Sequence, residues 1–202
     1  MKEHCKTCKS EINYLEDKMK SLKELSNEHL NWIQPKATQQ LFELHIKDDL
    51  FGTLLFPKSV GSLAEAETFD GKWTFKRVGF FTTRITIRNT GEENDIAVFK
   101  PNLMASSGIL EFNNGKKYQW HSSNFWATKF EFKDSEGESV VVFRSGIEEP
   151  KLKDWFKTQA RVEFPDHKKN LDELSILVLL GWYLIIVLQM DSSTGAVVAA
   201  TS

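Results

Sequence analysis

The 202-residue chain predicts a mainly β protein: a closed antiparallel β-barrel around a buried hydrophobic C-terminal helix, with an amphipathic helix ahead of the barrel. Three observations carry this reading. Apolar residues recur with period two from about Phe42 to Phe164, strong turn signals separate the alternating runs, and Leu174–Met190 (LSILVLLGWYLIIVLQM) contains no charged residue.

Residues 10–34 read as the first helix. Ile12, Leu15, Met19, Leu22 and Leu25 fall at spacings of three and four with Lys and Glu between them, which makes one apolar stripe. Pro35 ends the run, because the residue before a proline is pushed out of helical geometry. The stripe suits a helix lying on its own domain. The alternative is a short coiled coil or a helix that docks a protein partner or a second copy.

From Phe42 onward, Phe42, Leu44 and Ile46 alternate with Glu43, His45 and Lys47. Further runs follow at Phe51–Phe56, Lys72–Val78, Thr83–Asn89, Asp95–Phe99, Gly108–Phe112, Lys116–His121, Trp126–Phe132, Ser139–Arg144 and Gln159–Phe164. That makes about ten strands. Asn89-Thr90-Gly91, Asn113-Asn114-Gly115 and Ser135-Glu136-Gly137 mark tight turns, so neighbouring strands run antiparallel. Ile85 and Ile87 face opposite to Arg84, Thr86 and Arg88; Tyr118 and Trp120 face opposite to Lys117, Gln119 and His121. Each such strand has one wet and one dry face.

A helix apolar all round is either buried or membrane-spanning. At about 1.5 Å per residue the chargeless segment is about 25 Å long, and strands of six or seven residues span about 20 Å. A barrel of ten strands is too wide for its own side chains to fill, and an apolar helix of matching length fills it. Asn170 is positioned as an N-cap with Asp172 and Glu173 in the first turn. Trp182 and Tyr183 lie at the segment's centre, whereas membrane helices carry such residues at their ends. Leu177, Leu180, Gly181, Trp182 and Leu184 are the expected core residues, Gly181 for close packing against an inward side chain. The competing reading is a tail anchor over 174–190, supported by Lys168-Lys169 upstream and the small, uncharged tail Gly195–Ser202. The expected organisation is therefore 1–35 for a Cys-x-x-Cys and the first helix, 36–192 for the barrel with its central helix at 170–190, and 193–202 for a flexible tail.

Composition narrows the function. Lys and Arg total 26 against 28 Asp and Glu, a net charge of −2, so no global charge draws the chain to nucleic acid. No RNP-type motif, basic recognition helix or glycine-rich phosphate loop is present. The N-terminus lacks the apolar core of a secretory signal, and two cysteines three apart build no disulfide framework. A cytoplasmic protein is expected, peripheral at a membrane if it binds lipid.

Several runs carry a family resemblance: Trp73-Thr74-Phe75-Lys76-Arg77, Arg84-Ile85-Thr86-Ile87-Arg88, Ile96-Ala97-Val98-Phe99, Tyr118-Gln119-Trp120, Asn124-Phe125-Trp126 and Leu179-Leu180-Gly181-Trp182-Tyr183-Leu184. Over about residues 40–191 the chain resembles the bacterial branch of the tubby C-terminal-like superfamily, which includes plant LURP-one-related proteins and phospholipid scramblases. The resemblance implies a barrel of about twelve strands around the C-terminal helix, two more than the alternation marks; Val60–Glu67 and Leu152–Phe156 are the candidates. It also implies binding of phosphoinositides by basic residues on the barrel wall, and for scramblase-like members lipid movement and calcium.

The candidate sites follow. Arg84 and Arg88 project from one face of a strand, with Lys76 and Arg77 on the strand before, and such a patch suits an anionic lipid headgroup because Arg offers phosphate a planar fork. Pairing across strands with Glu92, Glu93 or Asp95, or plain solvation, is the alternative. The segment Glu163–Glu173, interrupted by Lys168 and Lys169, lacks the alternating oxygens and central glycine of a calcium loop. His4, Cys5 and Cys8 have the spacing of a zinc half-site, which His29 or a second chain would complete; two solvent thiols on a loose end, with no cofactor, are the default expectation, and zinc or redox chemistry the alternatives. His121, Ser122 and Ser123 are neighbours pointing in different directions, and no carboxylate pair or nucleophile elbow appears, so the expectation is a non-catalytic binding or scaffold module.

Overall fold

The computed structural model describes residues 19–25, 29–58, 61–79, 83–102, 106–123, 128–145, 159–168 and 170–200. Its twelve strands are β1 (Leu30–Ile33), β2 (Leu41–Ile46), β3 (Asp49–Leu55), β4 (Ala64–Thr68), β5 (Gly71–Val78), β6 (Arg84–Asn89), β7 (Ala97–Pro101), β8 (Ser107–Phe112), β9 (Lys117–Ser122), β10 (Lys129–Lys133), β11 (Ser139–Ser145) and β12 (Ala160–Glu163). Each pairs antiparallel with its sequence neighbours, and β1 pairs with β12 to close the barrel. The helix α1 (Leu174–Ala200) runs up through it.

All ten alternating runs form strands. The two that alternation missed are β1 and β4. Ala64, Ala66 and Thr68 of β4 face inward as small side chains, which leaves little hydrophobic contrast to read. On the preceding strand, β3, a β-carbon on Gly52 would meet the Glu67 carbonyl at 2.9 Å and Leu179 of α1 at 3.6 Å. The small residues of this wall let the helix lie close.

The expected helix over 10–34 is corrected in its described part. Leu22–Glu24 form a single 3-10 turn, with the Ser21 hydroxyl accepting from the Lys23 amide at 3.2 Å, and Leu25 is extended. Leu30–Ile33 is strand, with Leu30 and Trp32 turned into the core. Closing the barrel and burying an indole outweighs a weak local preference for helix. The barrel therefore begins at residue 30, not 36. Leu22 and Leu25 join the barrel's own core, which removes them from any stripe free for a partner. The remainder of that segment, including Ile12 and Leu15, lies outside the described residues.

Turns at the lower rim, where α1 enters, are tight. Gly115 (φ 85°) and Gly137 (φ 83°) take the left-handed conformation that these turns require. Bulges interrupt the β2–β3 and β10–β11 ladders at Leu44/His45 and Phe132/Lys133.

Helix α1 is the core. Leu174–Val187 is buried along its whole length, about 21 Å at 1.5 Å per residue, close to the about 20 Å that a six-residue strand spans. Leu174–Ser192 is long and apolar enough to cross a bilayer by composition, with a mean hydropathy of 2.0, yet 78% of that stretch is buried inside the barrel. Trp182 stacks on Trp32 of β1 (centroids 5.6 Å, 5° between planes) and meets Phe42 edge-on. Tyr183 stacks on Phe56 and meets Phe75 edge-on. Of the expected core residues, Leu177, Leu180, Gly181 and Trp182 lie deep, and Leu184 is buried as well.

Both helix boundaries differ from the expectation. Residues 170–173 are spent on turns (Leu171 N to Lys168 O, 3.2 Å; Leu174 N to Leu171 O, 3.1 Å), so Asn170 is not the cap and the helix starts at Leu174. Past Met190 no proline or charge run stops the helix, which continues to Ala200 through the stretch expected to be a flexible tail.

Candidate functional site

Strand register sorts the basic residues between the two faces of the wall. On β5, Trp73 and Phe75 face inward, and Arg77 shares their phase. Its guanidinium reaches Asp191 of α1 as the helix leaves the upper rim, with Nη1 to Oδ2 at 2.5 Å and Nη2 to Oδ1 at 3.1 Å. That pair raises the Arg77 pKa further. Nearby, the Tyr183 hydroxyl donates to the Ser62 carbonyl at 2.6 Å. Arg77 thus belongs to the packing of the helix, not to the outer patch expected of it.

Lys76, Arg84 and Arg88 do share the outer face. Lys76 pairs in register with Thr86, Val78 with Arg84, and Thr74 with Arg88. Arg88 is engaged by Asp95 (Nε to Oδ1, 2.6 Å). Lys76 and Arg84 are exposed, and among the described residues no ion pair engages either.

The same face extends further than the sequence suggested. Lys100 on β7 aligns with Ile109 on β8, which aligns with Gln119 on β9, while Glu111 opposes Lys117. Across the outer phase of β5 to β9 stand Lys72, Lys76, Arg84, Arg88, Lys100 and Lys117, against one strand carboxylate, Glu111. Glu111 accepts from Lys100 and Lys117, each at 3.1 Å. Exposed Leu63, beside Lys76, and Ile109 add apolar surface to this wall. Lys100 and Lys117 were not singled out from sequence; cross-strand register is what brings them in.

A second polar cluster sits farther round the wall. Glu131 of β10 is only 5% exposed although it faces outward. It accepts hydrogen bonds from Ser123 (3.0 Å) and, very short, from Ser139, with His121 Nε2 at 3.1 Å and Lys133 Nζ at 3.8 Å. Burial alone would raise its pKa, but the two serine hydroxyls and nearby lysines hold it below the usual range. His121, on β9, and Ser123, just past its end, do meet at a shared carboxylate. Both serines bond that carboxylate and not the imidazole, so the nucleophile–imidazole–carboxylate order of a triad is not what these residues form. His45 similarly meets Glu43 at 2.8 Å.

The lower rim holds the start of α1. Glu173, buried there, meets Lys116 Nζ at 2.8 and 3.0 Å, Asn114 Nδ2 at 3.3 Å and the Tyr118 hydroxyl at 3.4 Å. Burial works to raise its pKa, but Lys116, its own amide at the helix N-terminus and Asn114 together keep it lowered. Tyr118 is pushed up to about 12 by burial and by the Glu173 charge. Ser175 donates to Asp70 at 2.6 Å, and Lys168 bonds Asp134 at 2.7 Å. In the segment weighed for calcium, Glu163 pairs with Arg144 and Glu173 with Lys116.

The candidate zinc ligands His4, Cys5 and Cys8 lie outside the described residues. Among the described residues no group of three or more His, Cys, Asp or Glu is placed to hold a metal ion. No family model matches the chain, nor does any curated protein or solved structure.

Proposed function

We propose that the protein is a non-catalytic binding module that docks an anionic phospholipid surface against the outer wall of β5 to β9. The observation that carries this reading is the pair Lys76 and Arg84, exposed on adjacent strands without an ion-pair partner among the described residues. A cation already held by a carboxylate has less to offer a phosphate, so these two lead, with Leu63 and Ile109 supplying apolar contact beside them. Each basic residue close to an anionic leaflet contributes about 1 kcal/mol, so several acting together give reversible, salt-sensitive attachment. The resemblance to tubby-like barrels supports the same reading.

Flotation with anionic vesicles tests it. The wild-type chain is expected to float, and a Lys76→Glu/Arg84→Glu variant to stay behind. Arg77→Gln, which changes a residue turned toward the helix, is expected to float like wild type. Full binding by the double variant would refute the assignment of this wall.

A further inference from the structure

Glu111 stands within a field of lysines and arginines, and its position suggests what the wall discriminates. Its two carboxylate oxygens are divided between two ammonium groups: Oε2 faces Lys100 on one neighbouring strand and Oε1 faces Lys117 on the other, both at 3.1 Å. Three antiparallel strands fix this bridge through the pairs Lys100↔Ile109 and Glu111↔Lys117. Lys100 and Lys117 remain well exposed, at 63% and 57%, so an incoming anion can reach both. Hydrogen bonds from Lys100 and then Lys117 hold the Glu111 carboxyl below its ordinary range, so it carries its charge at neutral pH.

We propose that Glu111 is a built-in competitor at the lipid-binding wall, filling the seat between Lys100 and Lys117 that a phosphate monoester would take and thereby making the wall selective for multiply charged headgroups. The inference rests on the reading of this wall as a lipid-binding surface. A phosphate monoester presents several oxygens and close to two negative charges near neutral pH. Like the carboxylate, it bridges two ammonium groups, and it does so with more charge. A singly charged phosphodiester headgroup offers no such advantage over Glu111 and leaves the bridge in place. Displacement costs little in buried structure, because the glutamate is half-exposed on the outer face. Exposed ion pairs of this kind are weak enough to exchange.

The test uses the full chain and phosphatidylcholine vesicles doped with phosphatidylserine or, at matched surface charge, with phosphatidic acid. Wild type is expected to prefer phosphatidic acid. Glu111→Gln is expected to bind phosphatidylserine vesicles about fivefold more tightly, the equivalent of one added surface charge, and to lose most of the preference. Asp48→Asn makes the same change in net charge on the exposed turn between β2 and β3 and is expected to leave the preference intact. If Glu111→Gln and Asp48→Asn behave alike, or if the preference survives in Glu111→Gln, the competitor role is wrong. If that happens while Lys76→Glu/Arg84→Glu still abolishes binding, only this inference falls. If neither wild type nor Glu111→Gln binds any anionic vesicle, the lipid-binding reading falls with it.

Discussion

The ring of Phe143 on β11 occupies the space that a β-carbon on Gly181 of α1 would need. Helix and wall touch there without room for a methyl group, in the middle of the helix that fills the barrel. Gly181→Leu is therefore expected to yield no folded, soluble barrel, whereas a membrane anchor would accept leucine. Gly181→Ala is the graded probe. Overpacking costs about 1–3 kcal/mol, partly offset by about 1 kcal/mol of helix propensity. In a Phe143→Ala background the same change is expected to become neutral or stabilising. Additive effects in urea unfolding would mean that the two residues do not oppose each other.

Trp32 ties the closing strand to the helix. It is wholly buried, stacked on Trp182, and sits on a strand that pairs with β12 through just three register positions. Trp32→Ala is expected to cost about 3–5 kcal/mol, read as a lowered urea midpoint together with a changed tryptophan emission. A chain starting at residue 36 would lose β1 and leave β2 and β12 with unpaired edges, so self-association in light scattering is expected. An unchanged midpoint in Trp32→Ala would remove β1 from the folding core.

Glu173 makes a pH prediction with a definite sign. Its carboxyl lies below the ordinary value of 4.5 in the folded protein, so the folded state favours the charged form. That contribution is complete above the unfolded value and is lost as pH falls through the lower folded value. Glu173→Gln is expected to reduce stability at pH 7 and to flatten its decline between about pH 5 and 3. Urea midpoints across that range give the comparison. The slope will not vanish, because Glu131 and Asp134 are lowered too. A variant with an undiminished slope would show that Glu173 is not a principal acid-sensitive contact.

Most of the wall could be read in advance where large inward residues alternate with charged outward ones, as in β5, β6 and β9. β4 could not, because Ala64 and Ala66 give alternation without contrast. β1 could not, because four residues following a helix-like stripe carry too little periodicity. Helix α1 was legible from the absence of charge, but its start was not: Asn170, Asp172 and Glu173 look like capping residues, and the pairing of Glu173 with Lys116 depends on a hairpin 57 residues away. At the candidate site, Arg84 and Arg88 were visible as cations on one phase of a strand, with Lys76 and Arg77 on the strand before; register puts Lys76 on the same face. Arg77 reads as their companion until Asp191, 114 residues on, is brought alongside it. Lys100, Glu111 and Lys117 become a unit only through register, which pairing across strands determines and local sequence does not.

The helix that fills the barrel is encoded after all twelve strands. During synthesis the wall therefore leaves the ribosome before its interior exists, and β1 must wait for β12 as well. Every strand made early carries an apolar face with nothing to cover it until α1 is released. Nascent chains of this protein are thus expected to expose apolar surface of the kind chaperones cover, and a chain ending before Leu174 would lack the helix that fills the barrel.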